Sequence, residues 1–312
     1  MQKIKIALLG LGGVGGYYGG KLAKKYEKND EVEICFIARG EHLKAIREKG
    51  IHIITEKEDF YASPTFATNH PEEIGVCDYV IIATKSYDLK SSIEKLIPCI
   101  YEKTVIVPLL NGGNITEKVR KILPMNTVWS GLSYIVSRRT APGEIRTSGS
   151  YHKMIFGCEC MDDARLKMFE NIMQKADIDA EWSTNVRESV WKKFYFISVT
   201  ASLTSYFNVT FNELSKTEER REFALEFSRE FLSVAEKEGI HFEKNALEDV
   251  VKRSQILPEG TTTSMHSDFQ RGGKTEVETL TGEIVRLAHK HKLKVPLYEK
   301  VYESLKNKSE SQ

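Results

Sequence analysis

Hydrophobic positions along this chain change rhythm a little past the middle. Up to about residue 180, short β-branched runs alternate with stretches of helical character. Residues 4–9, 32–37, 79–84, 104–109 and 127–136 read as strands. Continuous apolar runs of this length, separated by helices, predict a mainly parallel sheet covered on both faces. Two further runs, 144–147 and 153–157, follow the turn pair Pro142-Gly143 and predict a hairpin at the sheet edge. From residue 185 the strand signal almost vanishes. Long helical patterns take over at 185–206, 217–238, 243–254, 274–291 and 297–306, and the tail 306–312 reads as frayed. The expected fold class is therefore α/β, a doubly wound N-terminal sheet over residues 1–183 followed by an all-helical domain over 184–312. A chain of 312 residues is long for a single core, which favours the same division.

The first apolar run feeds directly into Gly10-Leu11-Gly12-Gly13-Val14-Gly15 and a helix-like segment ending near Tyr26, and a second apolar run completes a βαβ unit. In that context the G-x-G-x-x-G turn is a Rossmann-type dinucleotide cradle. Gly10 permits the tight turn, Gly12 lets a pyrophosphate approach the backbone, and Gly15 lets the helix pack on the strand. The second strand ends in Ala38-Arg39-Gly40, where enzymes that prefer NAD carry an Asp or Glu. A guanidinium suits a 2′-phosphate, so the expected cofactor is NADP, used as NADPH, with Glu41 left open as a ribose ligand.

In an open α/β sheet, ligands bind beyond the carboxyl ends of the strands. Lys85 closes one such run and Asn111 the next, placing a charge and an amide where both would face the cofactor. A plain loop-end polar residue or helix cap is the alternative for each. Farther along, Lys192 and Lys193 interrupt the apolar segment Val190-Trp191-Lys192-Lys193-Phe194, so at least one is expected to face a cleft; a snorkelling lysine is the plainer reading. Thr261 to Met265 form a hydroxyl-rich helix start, either a carboxylate site or simple capping by Ser264.

Charge narrows the partners. With 45 basic and 44 acidic residues, nothing favours nucleic acid or an anionic membrane, and a small-molecule substrate is expected. The 5 cysteines include one C-x-C, Cys158 and Cys160, which lacks further ligands for a metal, so no metal is expected and free thiols are. The N-terminus is too short and glycine-broken for a signal peptide, and no run is long enough to span a bilayer; the expectation is a cytoplasmic protein. A homodimer stays open.

These landmarks, in order, resemble the 2-dehydropantoate 2-reductase (ketopantoate reductase) family. The resemblance covers nearly the whole chain. It rests on Gly10 to Gly15, Ala38-Arg39-Gly40-Glu41-His42-Leu43 with Lys49-Gly50-Ile51, Ala83-Thr84-Lys85, Asn111-Gly112, Pro142-Gly143-Glu144-Ile145, Trp191-Lys192-Lys193, and Ser264-Met265 with Glu276. It implies a Rossmann domain plus a helical domain, NADPH as reductant, and reduction of a 2-oxo acid, ketopantoate foremost, on the way to pantothenate and coenzyme A. By position it makes Lys193 the general acid and Glu276 a carboxylate near lysine and cofactor. Ser264 becomes a substrate contact, Lys85 and Asn111 nicotinamide-side residues, and Ser137 a cofactor contact. The family pattern has asparagines four and eight residues after the lysine, on one helix face; here those positions are Ile197 and Ala201. A third family contact aligns with Phe211, flanked by Asn208 and Asn212. The pocket, with Ile197 on its wall, is thus expected to be less polar, and a more apolar 2-oxo acid competes with ketopantoate. Two other functions stay open: a 3-hydroxy acid or sugar-phosphate dehydrogenase, whose phosphate would need Lys192, Arg271 or Lys274, and a sensor that binds NADPH without turnover.

Overall fold

The computed structural model describes residues 3–159 and 163–311, and Cys160 lies outside them. The chain divides into two compact units, one of residues 1–110 and 114–189, the other of residues 111–113 and 190–312. In chain order the first unit comprises β1 (Ile4–Leu9), α1 (Gly13–Tyr26), β2 (Val32–Ile37), α2 (Gly40–Lys49), β3 (Ile51–Ile54), β4 (Asp59–Ala62), β5 (Phe66–Thr68) and β6 (Tyr79–Ile82). It continues through α3 (Leu89–Leu96), β7 (Val105–Pro108), α4 (Ile115–Ile122), β8 (Thr127–Val128), β9 (Ser130–Ala141), β10 (Glu144–Gly157), α5 (Ala164–Lys175) and β11 (Asp179–Trp182).

Six of these strands form a parallel sheet in the order β5-β2-β1-β6-β7-β8. Side chains alternate between its faces. Ile6, Leu8, Ile34, Phe36, Ile81 and Val107 enter one core with α1 and α5, while Ala7, Leu9, Cys35, Ile37, Val80, Ile82 and Ile106 enter the other with α3 and α4. Burial on both faces is why these strands read as unbroken apolar runs. Leu9 pairs with Ile82, so the carboxyl ends of β1 and β6 lie side by side.

The run at 127–136 is not one strand. β8 ends the parallel sheet, and β9 leaves it for a second, mixed sheet in the order β11-β10-β3-β4, where β9 pairs with β10 antiparallel. Trp129 stands at the break, its backbone N–H on the Ile106 carbonyl at 3.0 Å and its fully buried indole 5.8 Å from the rings of Phe156 and Phe169. The expected edge hairpin is likewise corrected: residues 144–157 form the single long strand β10, irregular in register between Ser148 and Lys153.

The second unit is helical: α6 (Val186–Phe207, whose first turn belongs to the first unit), α7 (Glu218–Lys237), α8 (Ala246–Gln255), α9 (Ser264–Gln270), α10 (Val277–Leu280), α11 (Gly282–Lys290) and α12 (Pro296–Glu310). α6 is buried almost all round, and its hydroxyls hold its neighbours. Ser198 Oγ donates to the Leu280 carbonyl at 2.6 Å, and Ser202 and Thr281 hydroxyls meet at 2.7 Å. The helix expected over 274–291 starts only after Glu276 and is broken at Thr281 into α10 and α11, where Ser198 Oγ takes the Leu280 carbonyl. As far as Glu310 the tail is helical and not frayed: α12 is anchored by Val301 and Leu305.

Candidate active site

In the first unit the glycine-rich turn is shaped by contacts no side chain would allow. Gly10 has φ +88°, and a Cβ there would lie 2.7 Å from the backbone of Ala83 and Thr84. Gly13 is pressed on β9, where a Cβ would come 2.2 Å from the Ser137 carbonyl oxygen, and one on Gly15 would come 2.3 Å from the Gly10 oxygen. Gly12 differs, with nothing within 4 Å of its Cβ position. It stands at the start of α1, which has no side-chain cap and no acidic residue in its first turn. The positive helix end is thus left for an anion. Leu11 and Val14 turn their side chains toward the core, leaving their backbone to the turn.

Two hydroxyls beside this loop, Thr84 Oγ1 and Ser137 Oγ, are buried without a hydrogen-bond partner among the described residues. A buried orphan of this kind costs about 1–3 kcal/mol, and two of them beside one glycine-rich turn suit a polar ligand there. The cradle fits a dinucleotide. Arg39 follows β2, exposed, its side chain with no hydrogen bond or ion pair among the described residues; Glu41, in the first turn of α2, is exposed too. Lys85 follows Thr84, half-buried.

The second unit assembles a different set. Lys193, half-buried on α6, donates from Nζ to Asn111 Oδ1 at 2.8 Å. Burial lowers the Lys193 pKa to about 8, while the charge of Glu276, 5 % exposed, works to raise it. Such a lysine can give up a proton near neutral pH. Asn111 is held by its neighbours: Gly112 has φ +135°, and a Cβ on Gly113 would come 2.6 Å from the Phe194 ring. Gly113→Ala is therefore expected to displace Asn111, lowering Tm by the equivalent of ~1–3 kcal/mol and kcat by several-fold. Unchanged Tm and kcat would show that this packing does not hold the asparagine.

Other expected residues fall elsewhere. Lys192, Arg271 and Lys274 are exposed. Ser264 is exposed in the first turn of α9, and the cap is Thr263, whose hydroxyl accepts the His266 N–H at 3.2 Å. Ile197 is half-buried one turn after Lys193. Ala201 does not line an open wall; it is 1 % exposed in the core of this unit. Phe211 is buried and stacked 6.2 Å from Phe196. Asn208 Oδ1 is bonded to His266 Nε2 at 2.8 Å, and the Asn212 amide donates to the Gln255 and Leu257 carbonyls. Cys158 is buried, and among the described residues no three His, Cys, Asp or Glu side chains gather to hold a metal. No helix among them is long and apolar enough to cross a membrane.

A βαβ glycine-rich turn with an arginine after its second strand fits a nicotinamide dinucleotide, and a buried lysine of lowered pKa fits a proton donor. The sequence profile of ketopantoate reductase PanE/ApbA matches residues 6–159, and that of the ketopantoate reductase PanE/ApbA C terminal matches residues 185–309. The crystal structure of 2-dehydropantoate 2-reductase from Porphyromonas gingivalis W83 is 34 % identical with a TM-score of 0.84, the match covering 97 % of this chain and 99 % of that one. An uncharacterized oxidoreductase, YkpB, of Bacillus subtilis (strain 168) is 29 % identical over 97 % of this chain and 98 % of its own. The 2-dehydropantoate 2-reductase of Halobacterium salinarum is 26 % identical over 94 % and 95 %. The chain belongs to the ketopantoate reductase family. It is an NADP-dependent oxidoreductase acting on CH–OH groups.

Proposed function

We propose that this enzyme reduces a 2-oxo acid to the 2-hydroxy acid, with ketopantoate the leading substrate and pantoate its product. The observation that carries the reading is the Lys193–Asn111 hydrogen bond at 2.8 Å on a lysine whose pKa burial lowers to about 8. NADPH, when bound, supplies hydride for the ketone carbon. Lys193 stabilises the oxygen as charge develops and gives it the proton from Nζ. Asn111 orients the ammonium, and Glu276 keeps enough charge beside it for the lysine to stay protonated near neutrality. Gly10 to Gly15 and Ser137 are assigned to the cofactor phosphates and backbone side, Arg39 to the 2′-phosphate, Lys85 to the nicotinamide side, and Ser264 to the substrate. With ketopantoate as substrate, the reaction serves pantothenate and coenzyme A synthesis in the cytoplasm.

The test follows NADPH consumption against a panel of 2-oxo acids that includes ketopantoate. Turnover of none of them sinks the proposal. One observation favours a second reading, a more apolar 2-oxo acid: the residue one turn beyond Lys193 is half-buried Ile197, while Asn208 Oδ1 and Asn212 Nδ2 are already bonded to His266 and to the Gln255 and Leu257 carbonyls. A substrate hydroxyl left unpaired costs about 1–3 kcal/mol. Ketopantoate is therefore expected to gain little over its deoxy analogue, and Ile197→Asn to raise that kcat/KM ratio by ~5-fold or more. A wild-type enzyme that strongly prefers ketopantoate rules the apolar reading out.

A further inference from the structure

We propose that His42 is the positioning residue of the phosphate loop: as a neutral Nε2–H imidazole it grips the Leu11 carbonyl and so aims the Gly12 N–H at the dinucleotide. The inference rests on the dinucleotide reading of the glycine-rich turn and assigns a role to a side chain outside it.

His42 lies in the first turn of α2, 6 % exposed. Its Nδ1 accepts the Gly143 N–H at 2.8 Å, and its Nε2 lies 2.8 Å from the Leu11 carbonyl oxygen. A backbone N–H can only donate and a carbonyl can only accept, so the one proton of the neutral ring sits on Nε2. Gly143 leaves little play in this arrangement. It occupies the β9–β10 turn at φ +77°, and its own carbonyl accepts the His52 N–H from β3 at 2.8 Å.

The consequence for the loop follows from peptide geometry. The described chain has no cis peptide bond, so the Leu11 C=O and Gly12 N–H point in opposite directions across one planar unit. Holding the oxygen against His42 sends the hydrogen the other way, and on the Cα side nothing lies within 4 Å of the Gly12 Cβ position. β9 supports the same loop from its Ser137 carbonyl, against Gly13. A second proton would put a donor on Nδ1 facing the Gly143 N–H. Burial, and then the nearby Arg139 charge, hold the pKa below the ordinary histidine value in spite of the Leu11 carbonyl.

The experiment measures NADPH and NADH dissociation constants by nucleotide fluorescence, with KM and kcat, for the wild type, His42→Phe and His42→Gln. Phenylalanine keeps the ring's bulk and loses both hydrogen bonds; glutamine keeps one donor and one acceptor. His42→Phe should weaken both nucleotides by about 10-fold and in equal proportion, with kcat at saturation within about 2-fold, and His42→Gln should recover most of the loss. Equal weakening separates this effect from failure of the 2′-phosphate assignment, because Arg39 variants should act on NADPH alone. Nucleotide binding unchanged in His42→Phe, or a fall in kcat without a change in binding, overturns the proposal. So does a glutamine variant as weak as the phenylalanine one. If His42→Phe does not fold, 15N NMR of the wild-type imidazole decides: a neutral Nε2–H ring supports the proposal, and an Nδ1–H or doubly protonated ring overturns it.

Discussion

Lys193→Ala is expected to lower kcat by at least ~10²-fold while the NADPH dissociation constant changes little, since a positioned proton donor typically contributes ~10²–10⁴ and acts on charge that develops only in the transition state. The pH profile should carry the same signature. With the Lys193 pKa near 8, the ammonium that donates is the form below that pH. Reduction should therefore decline as pH rises through about 8, and oxidation of the hydroxy acid, which needs the free amine, should rise over the same interval. Glu276→Gln removes the charge that raises this pKa and should move the limb to lower pH. Exposed Lys192 is the control. Equal losses in Lys192→Ala and Lys193→Ala, or a rate that climbs with pH in the reductive direction, would show that another group delivers the proton.

Arg39→Asp is expected to reverse the cofactor preference. The guanidinium stands exposed after β2 with no hydrogen bond or ion pair among the described residues, so the change disturbs no internal contact. Losing a charge-assisted phosphate contact costs about 1.5–3 kcal/mol, and the new carboxylate repels phosphate while accepting a ribose hydroxyl. Together these should cut kcat/KM for NADPH by ~10²-fold and leave NADH equal or better. The measurement is kcat/KM for both nucleotides in both proteins. A wild type that already prefers NADH would remove Arg39 from the 2′-phosphate.

The parallel sheet was readable because each strand is buried on both faces, so residues such as Ile6 and Ala7 are apolar alike though they enter different cores. Long helices with distinct ends were readable too: α7 is capped by the Thr217 hydroxyl, the residue at which its pattern starts. The short strands β3, β4, β5 and β11 were missed because three or four residues carry little periodicity. The break at Trp129 was missed because an indole inside an apolar run looks like one more strand residue, although its packing against Phe156 and Phe169 redirects the chain. His42 was visible only as one letter of a family motif. Nothing local connects it with Leu11 or with Gly143, 101 positions away.

By itself the sequence determined the dinucleotide turn, the arginine after β2 and the change from alternating to helical texture, since all three depend on neighbours along the chain. Only the tertiary structure decided what surrounds them. Asn111 follows β7, yet residues 111–113 group with the helical unit, where packing of Gly113 on Phe194 brings the amide to Lys193. Glu276, buried immediately before α10, acts on the charge of that lysine from 83 positions away. Ala201, on the same helix as Lys193, goes into the core instead of an open wall. A periodic pattern records which side of a helix is apolar. Whether that side meets another helix or a substrate depends on residues far away in sequence, and for this protein those contacts fix the chemistry of the lysine.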